Sequence, residues 1–348
     1  MHPTNYKKAG LLALILTIIS LASWEYSLRN KGVYADYDDN DALWANKRAM
    51  VYEPKDKATV FIGSSRIKYD LDIPTWESLT GNHAIQLANV GSSPRPVMED
   101  LANDPNFKGR LVVDVTEGLF FFPGLAFYDG STNKKIRYYH DITPTERFSF
   151  QVDRVLESQF VFLDQDNYSI NAMLDQMKIP NRTGAPFFDF PMEFGRNTYA
   201  RQAYMTPEFV ADTNLQNRVK AVWMGCARMG GPPPVSGKAL DSILNWVKIQ
   251  VDKIKSHGGD VIFVRTPSSG PAFMGEQQGF PRKDYWDRIL STTGCPGIYF
   301  QDYPAIANFI CPEWSHLKPA DGVIYTKNLV KILEDEKGWS FLKNSSNL

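Results

Sequence analysis

Apolar and polar positions along this chain alternate between two rhythms. Compact apolar runs of strand length occur at Ala58 to Ile62, Ile85 to Val90 and Leu111 to Val115, and helical patterns opening on a proline, Pro74 to Leu79 and Pro94 to Ala102, lie between them. That order predicts a parallel sheet, because parallel neighbours need a crossover and a helix supplies it. The rhythm returns with the amphipathic stretch Ala239 to Lys255, which ends at Gly258-Gly259 and leads into the apolar run Val261 to Val264. A helix from about Asp284 to Ser291, a strand at Ile298 to Phe300 and a terminal helix from Ala320 to Leu333 complete it. The five strands predict an α/β fold, a three-layer αβα sandwich around a mainly parallel five-stranded sheet.

Two segments break the rhythm. Near the start, Lys7 and Lys8 precede an apolar run from Ala9 to Trp24, and Glu25, Arg29 and Lys31 then restore polarity. Its sixteen residues are long for a signal-peptide core and slightly short of the roughly 20 that cross a hydrocarbon layer. Ala22 and Ser23 suit cleavage, whereas Trp24 and Tyr26 suit the aromatic belt of an uncleaved anchor. The expectation is a membrane anchor with the rest of the chain periplasmic or extracellular; cleavage and secretion is the alternative. The second break, about 118–235, is rich in aromatics and proline, as in Phe120-Phe121-Phe122-Pro123 and Pro186 to Phe194. It reads as an insertion covering one end of the sheet, with a helix near Glu146 to Leu156, and serving as a substrate cap, a partner surface or a packing layer. The expected organisation is therefore 1–30 signal anchor and flank, 31–117 first part of the sheet domain, 118–235 insertion and 236–348 second part.

Charge narrows the function classes. Across 348 residues, 38 basic and 39 acidic side chains leave a formal net charge of -1, so no summed field draws the chain onto nucleic acid. No Cys/His spacing resembles a zinc site, His140 and Asp141 lack ligand spacing, and no cofactor is implied. The three cysteines, Cys226, Cys295 and Cys311, fit an oxidising compartment with one disulfide, expected between Cys295 and Cys311 because they flank a short strand and the loop carrying His316. Three buried thiols are the alternative.

The candidate chemistry gathers at strand ends. Gly63-Ser64-Ser65-Arg66 follows the first strand, which puts Ser65 on a strand-to-helix turn at the carboxyl edge, where open α/β sheets bind ligands. Alone, Gly-Ser-Ser is a weak signal, a common turn that reads as an ordinary N-cap serine. Asn89-Val90-Gly91 ends the second strand, and a glycine there offers an unhindered N–H to an oxyanion. Thr116-Glu117-Gly118 ends the third. Near the C-terminus, Glu313-Trp314-Ser315-His316 sets a carboxylate and an imidazole on one loop, the pair that activates a serine for acyl transfer. His83 and His140 have no such context, and His257 sits at a helix end where a cation is simply favourable.

These blocks together resemble the SGNH or GDSL hydrolases, whose pattern is Gly-Asp-Ser after the first strand, Gly after the second, Gly-x-Asn-Asp after the third and Asp-x-x-His before the last helix. Gly63-x-Ser65, Asn89-x-Gly91 and Glu313-x-x-His316 match three blocks in order, over about 58–118 and 239–335. The resemblance implies a flavodoxin-like SGNH fold and an extracytoplasmic serine esterase or O-acyltransferase. Ser65 would be the nucleophile, His316 the base and Glu313 its orienting acid, with Ser65, Gly91, Asn89, Thr116, Glu117 and Arg66 as oxyanion or substrate-binding residues. The Gly-Ser-Ser variant with an N-terminal anchor looks like envelope proteins that assist O-acylation of cell-wall polymers and exopolysaccharides. It thereby implies a polysaccharide carrying or accepting an acyl group, taken as acetyl, and a multispanning membrane acyltransferase as partner. Two departures stand out: the third-block Asn is missing, with Thr116 or Glu117 in its region, and Glu replaces Asp in the last block. A carboxylate donates to an oxyanion only when protonated, so Glu117 is expected to be neutral or to serve elsewhere. The rival reading is a degenerate site kept for glycan binding or scaffolding in an envelope assembly.

Overall fold

The computed structural model describes residues 6–123, 130–175, 190–230 and 232–341. The chain divides into two compact units, one of residues 1–38 with 144–183 and one of 39–143 with 184–348. The aromatic stretch 118–235 is therefore not one block: its middle belongs with the N-terminal residues and its two flanks belong with the sheet. Of the Pro186 to Phe194 stretch, residues 186–189 lie outside the described residues.

In chain order the helices are α1 (Tyr6–Asn30), α2 (Asp41–Arg48), α3 (Ser65–Asp70), α4 (Ile73–Thr80), α5 (Arg95–Ala102), α6 (Glu117–Phe120), α7 (Gly130–Asp141) and α8 (Pro144–Glu157). They continue as α9 (Gln165–Tyr168), α10 (Ile170–Asp175), α11 (Pro207–Ala211), α12 (Thr213–Met229), α13 (Gly237–Ser256), α14 (Gly270–Gly279), α15 (Trp286–Thr293) and α16 (Pro319–Lys337). The strands are β1 (Ala58–Ile62), β2 (His83–Gln86), β3 (Arg110–Asp114), a short antiparallel pair β4 (Arg196–Asn197) and β5 (Ala203–Tyr204), then β6 (Asp260–Arg265) and β7 (Gly297–Tyr299).

Five strands form one sheet in the order β2-β1-β3-β6-β7, and every pairing in it is parallel. Helices flank it in two packed groups, α3 and α4 with α16, and α5 with α13 and α15. Because both faces are covered, the strands are apolar almost throughout, as in the fully buried ATVFI of β1. The chain order β2-β1-β3 reverses direction at β1, and the carboxyl end of such a switch point is where open α/β sheets bind their ligands. Ser65 follows that end directly.

β2 is shorter than its apolar run, which extends to Val90. It is an edge strand, and its outward carbonyls are covered by a side chain: Arg201 donates to Gln86 O at 2.7 Å and to Ala88 O at 3.1 Å. The same guanidinium binds Asp39 through Nε at 2.5 Å and Nη2 at 3.0 Å. Burial alone would raise the Asp39 pKa, but Arg201, Lys68 and Lys135 hold it far below the ordinary carboxylate range.

The expected Cys295–Cys311 bridge is not formed; Cys226, Cys295 and Cys311 are all free thiols. Cys295 precedes β7 at the amino edge of the sheet, whereas Cys311 lies beyond the carboxyl edge, where its N–H donates to Ser269 Oγ at 3.0 Å. A strand of three residues stands between the two edges, roughly 10 Å at about 3.3 Å per residue, against the roughly 4.4–6.8 Å between Cα atoms that a disulfide tolerates.

In the smaller unit, α1 has 25 residues and is long and apolar enough to cross a membrane or to act as a signal sequence. At 1.5 Å per residue it spans roughly 37 Å, more than the apolar run alone suggests. Its last turns are built into this unit. The Trp24 ring stacks on Phe162 at 5.7 Å, Leu28 is buried, and Glu25 accepts from the N–H groups of Val161 and Phe162 at 3.1 and 3.2 Å.

Candidate active site

Gly63 positions the nucleophile candidate. A Cβ there would stand 2.6 Å from Ile67 Cγ2 and 2.7 Å from Asp114 Cβ, so only glycine lets β1 turn into α3 against β3. Ser64 caps α3, with Oγ accepting from Arg66 N at 3.4 Å and pairing with Thr116 Oγ1 at 2.7 Å. Ser64 is buried and Ser65 half-buried, so of these adjacent hydroxyls Ser65 is the one open to a ligand.

Ser65 meets the C-terminal loop. His316 Nε2 lies 2.8 Å from Ser65 Oγ, and Nδ1 lies 3.0 Å from Glu313 Oε1. A carboxylate only accepts, so Nδ1 carries the proton and Nε2 presents a lone pair to the Ser65 hydroxyl. Glu313 Oε1 also accepts from His316 N at 2.6 Å and Ser315 N at 3.3 Å, while Oε2 accepts from Trp223 Nε1 at 2.6 Å. Burial pushes the Glu313 pKa up; attraction to His316 and these donors outweigh it and hold the carboxyl below its ordinary value. Glu313 is thus an ionised acceptor with both oxygens occupied.

For Glu313 to reach back onto its own loop, the chain must reverse sharply. Trp314 does this at φ 81°, a conformation that bulky side chains rarely adopt. The turn is held by Ser269 N donating to Trp314 O at 2.9 Å and by Gly270, where a Cβ would come within 3.1 Å of the indole.

Three consecutive loop residues are stitched to α3. Ser315 Oγ accepts from Arg66 Nε at 3.3 Å, His316 faces Ser65, and Leu317 N donates to Asp70 Oδ1 at 2.9 Å. Asp70 is fully buried, and that burial pushes its carboxyl well above the ordinary range. Rings close over the imidazole: Tyr69, Phe194 and Trp223 have centroids 4.5, 5.7 and 6.3 Å from that of His316.

The remaining site candidates divide. Asn89 N donates to Gly63 O at 3.2 Å, which brings the β2 loop beside the strand end that carries Ser65. Its side chain is committed elsewhere, donating to Thr132 Oγ1 and accepting from Arg201 Nη2. Gly91 stands at φ 63°, and an added Cβ would meet nothing within 4 Å, so the position demands glycine for its backbone conformation and not for space. Thr116 is not a free donor, since its hydroxyl proton goes to Asp114 Oδ2 at 3.2 Å. Glu117 takes the second of its two expected courses, pairing with the buried Arg265 at 3.1 Å. Arg66 is turned to Glu276, with which it forms an ion pair, and to Ser315; its Nη1 is buried without a hydrogen-bond partner among the described residues. Glu276 also pairs with Arg265, so the two arginines share one carboxylate behind the Ser–His pair.

Trp223, Phe194, Tyr69, Glu276 and Arg201 are the site-building residues that sequence reasoning passed over. They lie in stretches without the strand–helix rhythm or on covered helix faces, and only the fold brings them to the loop. The arrangement can move a proton from the Ser65 hydroxyl to His316 while Glu313 stabilises the imidazolium. No protein-family model matches this chain, and no curated protein matches its sequence.

Proposed function

We propose that this chain is an SGNH-type serine acyl-ester enzyme, a hydrolase or O-acyltransferase, built on a flavodoxin-like sheet and anchored outside the cytoplasm by α1. The observation that carries the reading is the continuous Ser65–His316–Glu313 hydrogen-bond chain, 2.8 and 3.0 Å, at the carboxyl edge of a parallel sheet. Ser65 Oγ attacks the acyl carbon as its proton passes to His316 Nε2. The tetrahedral oxyanion is met by backbone N–H groups, with those of Ser65, in the first turn of α3, and Gly91 the candidates. Collapse expels the alcohol, which takes the proton from His316, and leaves an acyl-Ser65 ester. Water or a sugar hydroxyl then resolves it, deprotonated by the same imidazole.

The acceptor or donor we propose is a cell-envelope polysaccharide bearing acetyl or a similar small acyl group, supplied by a multispanning membrane acyltransferase. Supporting a glycan are aromatics next to the rings that cover His316: Phe190 is 41% exposed and stacks on Phe194, and Trp314 is half-buried on the loop itself. The test is labelling with a fluorophosphonate, which requires an activated serine. Wild-type chain is expected to label, and Ser65→Ala and His316→Ala are expected not to. An unlabelled but folded wild type would instead favour a glycan-binding or scaffolding role for a degenerate site, with Thr116 and Glu117 standing where a side-chain oxyanion donor is missing.

A further inference from the structure

The smaller unit carries a second apolar surface besides α1. On α8, Phe148, Val152, Val155 and Leu156 are 71, 44, 55 and 39% exposed. Their spacing of four, seven and eight residues puts them on one helix face. The residues of α8 that turn inward, Phe150, Arg154 and Glu157, lie on the opposite face at the same helical spacing. The helix is therefore already packed on one side and presents an apolar stripe on the other, flanked by Arg147, Ser149, Gln151 and Asp153. A stripe of this kind repeats on α10, where Ile170, Met173 and Leu174 follow i, i+3, i+4 spacing and are 74, 43 and 52% exposed.

Contact within the unit connects these stripes to α1. Trp24 stacks on Phe162 and meets Tyr168 edge-on at 6.1 Å, and Phe162 in turn packs on Phe160, which follows α8 and is itself 40% exposed. Glu25 and Arg29 fix the end of α1 to the same segment, Arg29 Nη2 donating to Gln159 O at 2.6 Å. Trp24 ends the apolar run, at the depth where aromatic belts sit. With α1 across a bilayer, the segment clasped to Trp24, and the stripe that ends one turn before Phe160, would lie near the bilayer surface.

We infer that α8 and α10 lie in the membrane interface, their apolar stripes embedded among lipid headgroups and upper acyl chains. The smaller unit then rests on the bilayer as a platform and is not merely tethered to it. Amphipathic helices adsorb in this way by burying one apolar face about 5–10 Å deep. The occupant is lipid because the helices that carry the stripes pack, through residues 161–163 and α9, onto the end of α1, whose apolar run is read as the bilayer span. The inference rests on the reading of α1 as a bilayer anchor.

The test uses the full chain, with Cys226→Ser to remove the partly exposed thiol, reconstituted in phosphatidylcholine/phosphatidylglycerol vesicles. A nitroxide is placed singly at Leu14→Cys, Val152→Cys, Ile170→Cys or Asp153→Cys, and its collisions with oxygen, which enters the bilayer, are compared with those of a water-soluble nickel chelate. Labels at 152 and 170 should show an oxygen-to-nickel ratio several-fold above that at 153, and the label at 14 a higher ratio still. Ratios at 152 and 170 equal to that at 153 would put the stripes in water and sink the inference while the Leu14 label keeps the anchor. Low collision rates with both reagents at 152 and 170 would overturn it in favour of a protein partner or a second copy. A water-exposed Leu14 label would instead remove the anchor itself.

Discussion

Trp223 donates its indole N–H to Glu313 Oε2 at 2.6 Å, across 90 residues of sequence. This bond ties α12, from a stretch without strand–helix rhythm, to the acid of the Ser–His–Glu chain. Trp223→Phe keeps the ring and removes the donor. A buried hydrogen bond to a charged group contributes about 1.5–3 kcal/mol, so kcat is expected to fall about 10- to 100-fold with KM little changed. Because Trp223 also helps hold the Glu313 pKa down, the acid limb of the pH–rate profile should move upward; a fall in activity with that limb unmoved would make Trp223 a packing residue only.

Glu313→Gln tests the acid itself. It removes the charge opposite the imidazolium and presents an amide that can favour the wrong tautomer, and kcat should drop by roughly 10²–10⁴-fold. Glu313→Asp shortens a side chain that must bridge to His316 N, His316 Nδ1 and Trp223 at once, so activity should fall, though less than for Gln. Steady-state kinetics on p-nitrophenyl acetate decide it. Near-full activity in Glu313→Gln beside a dead His316→Ala would leave a Ser–His dyad.

Gly63→Ala should damage both stability and chemistry. Its Cβ would press on Ile67 and on Asp114 Cβ, neither the free end of a flexible side chain, and overpacking of this kind costs about 1–3 kcal/mol. Thermal denaturation should show a lowered Tm, and fluorophosphonate labelling of Ser65 should slow even in the folded fraction. An unchanged labelling rate would mean the turn absorbs the methyl without moving Ser65.

The smaller unit should loosen as pH rises. Burial, with the charge of Asp166 next, lifts Asp38 to about 6, and burial, with Asp38 and Asp153 next, lifts Glu157 to about 8. Both values exceed those of an unfolded carboxyl, so the folded unit binds these protons more tightly. The stabilisation is complete below the unfolded carboxylate range and is lost as pH climbs through about 6 and then about 8. Hydrogen exchange at Val161, Phe162 and Gln165, corrected for intrinsic rates, should show more protection near about pH 5 than near about pH 9. Glu157→Gln should flatten the upper part of that slope, and an unaltered slope would assign it to other groups.

Much of the sheet was legible because its strands are buried on both faces: β1 coincides with the apolar run Ala58 to Ile62, and β3, β6 and β7 fall within a residue or so of theirs. The run at Ile85 to Val90 misled by its length, since its neighbour β1 ends at Ile62 and the chain turns there at Gly63, while Arg201, 115 residues after Gln86, covers the outer edge. Ser65, Glu313 and His316 could be proposed from spacing because strand-end turns and a short loop are local signals. Trp223, Phe194 and Glu276 could not, because what makes them part of the site is proximity created by the whole fold. The disulfide expectation failed for a related reason: sixteen residues of separation between Cys295 and Cys311 hide the strand that puts them on opposite edges.

The stitching of residues 315–317 to α3 also sets a timetable. Ser65 and His316 are 251 residues apart, and a chain made from its N-terminus holds Ser65 long before His316 exists. Until then α3 lacks the loop partners of Ser65 and Asp70, and the buried Asp70 carboxyl has no Leu317 N–H to accept. A chain lacking its final loop therefore holds Ser65 without the imidazole and carboxylate that line up with it in the whole fold. The Ser65–His316–Glu313 hydrogen-bond chain can close only once the final loop has been made.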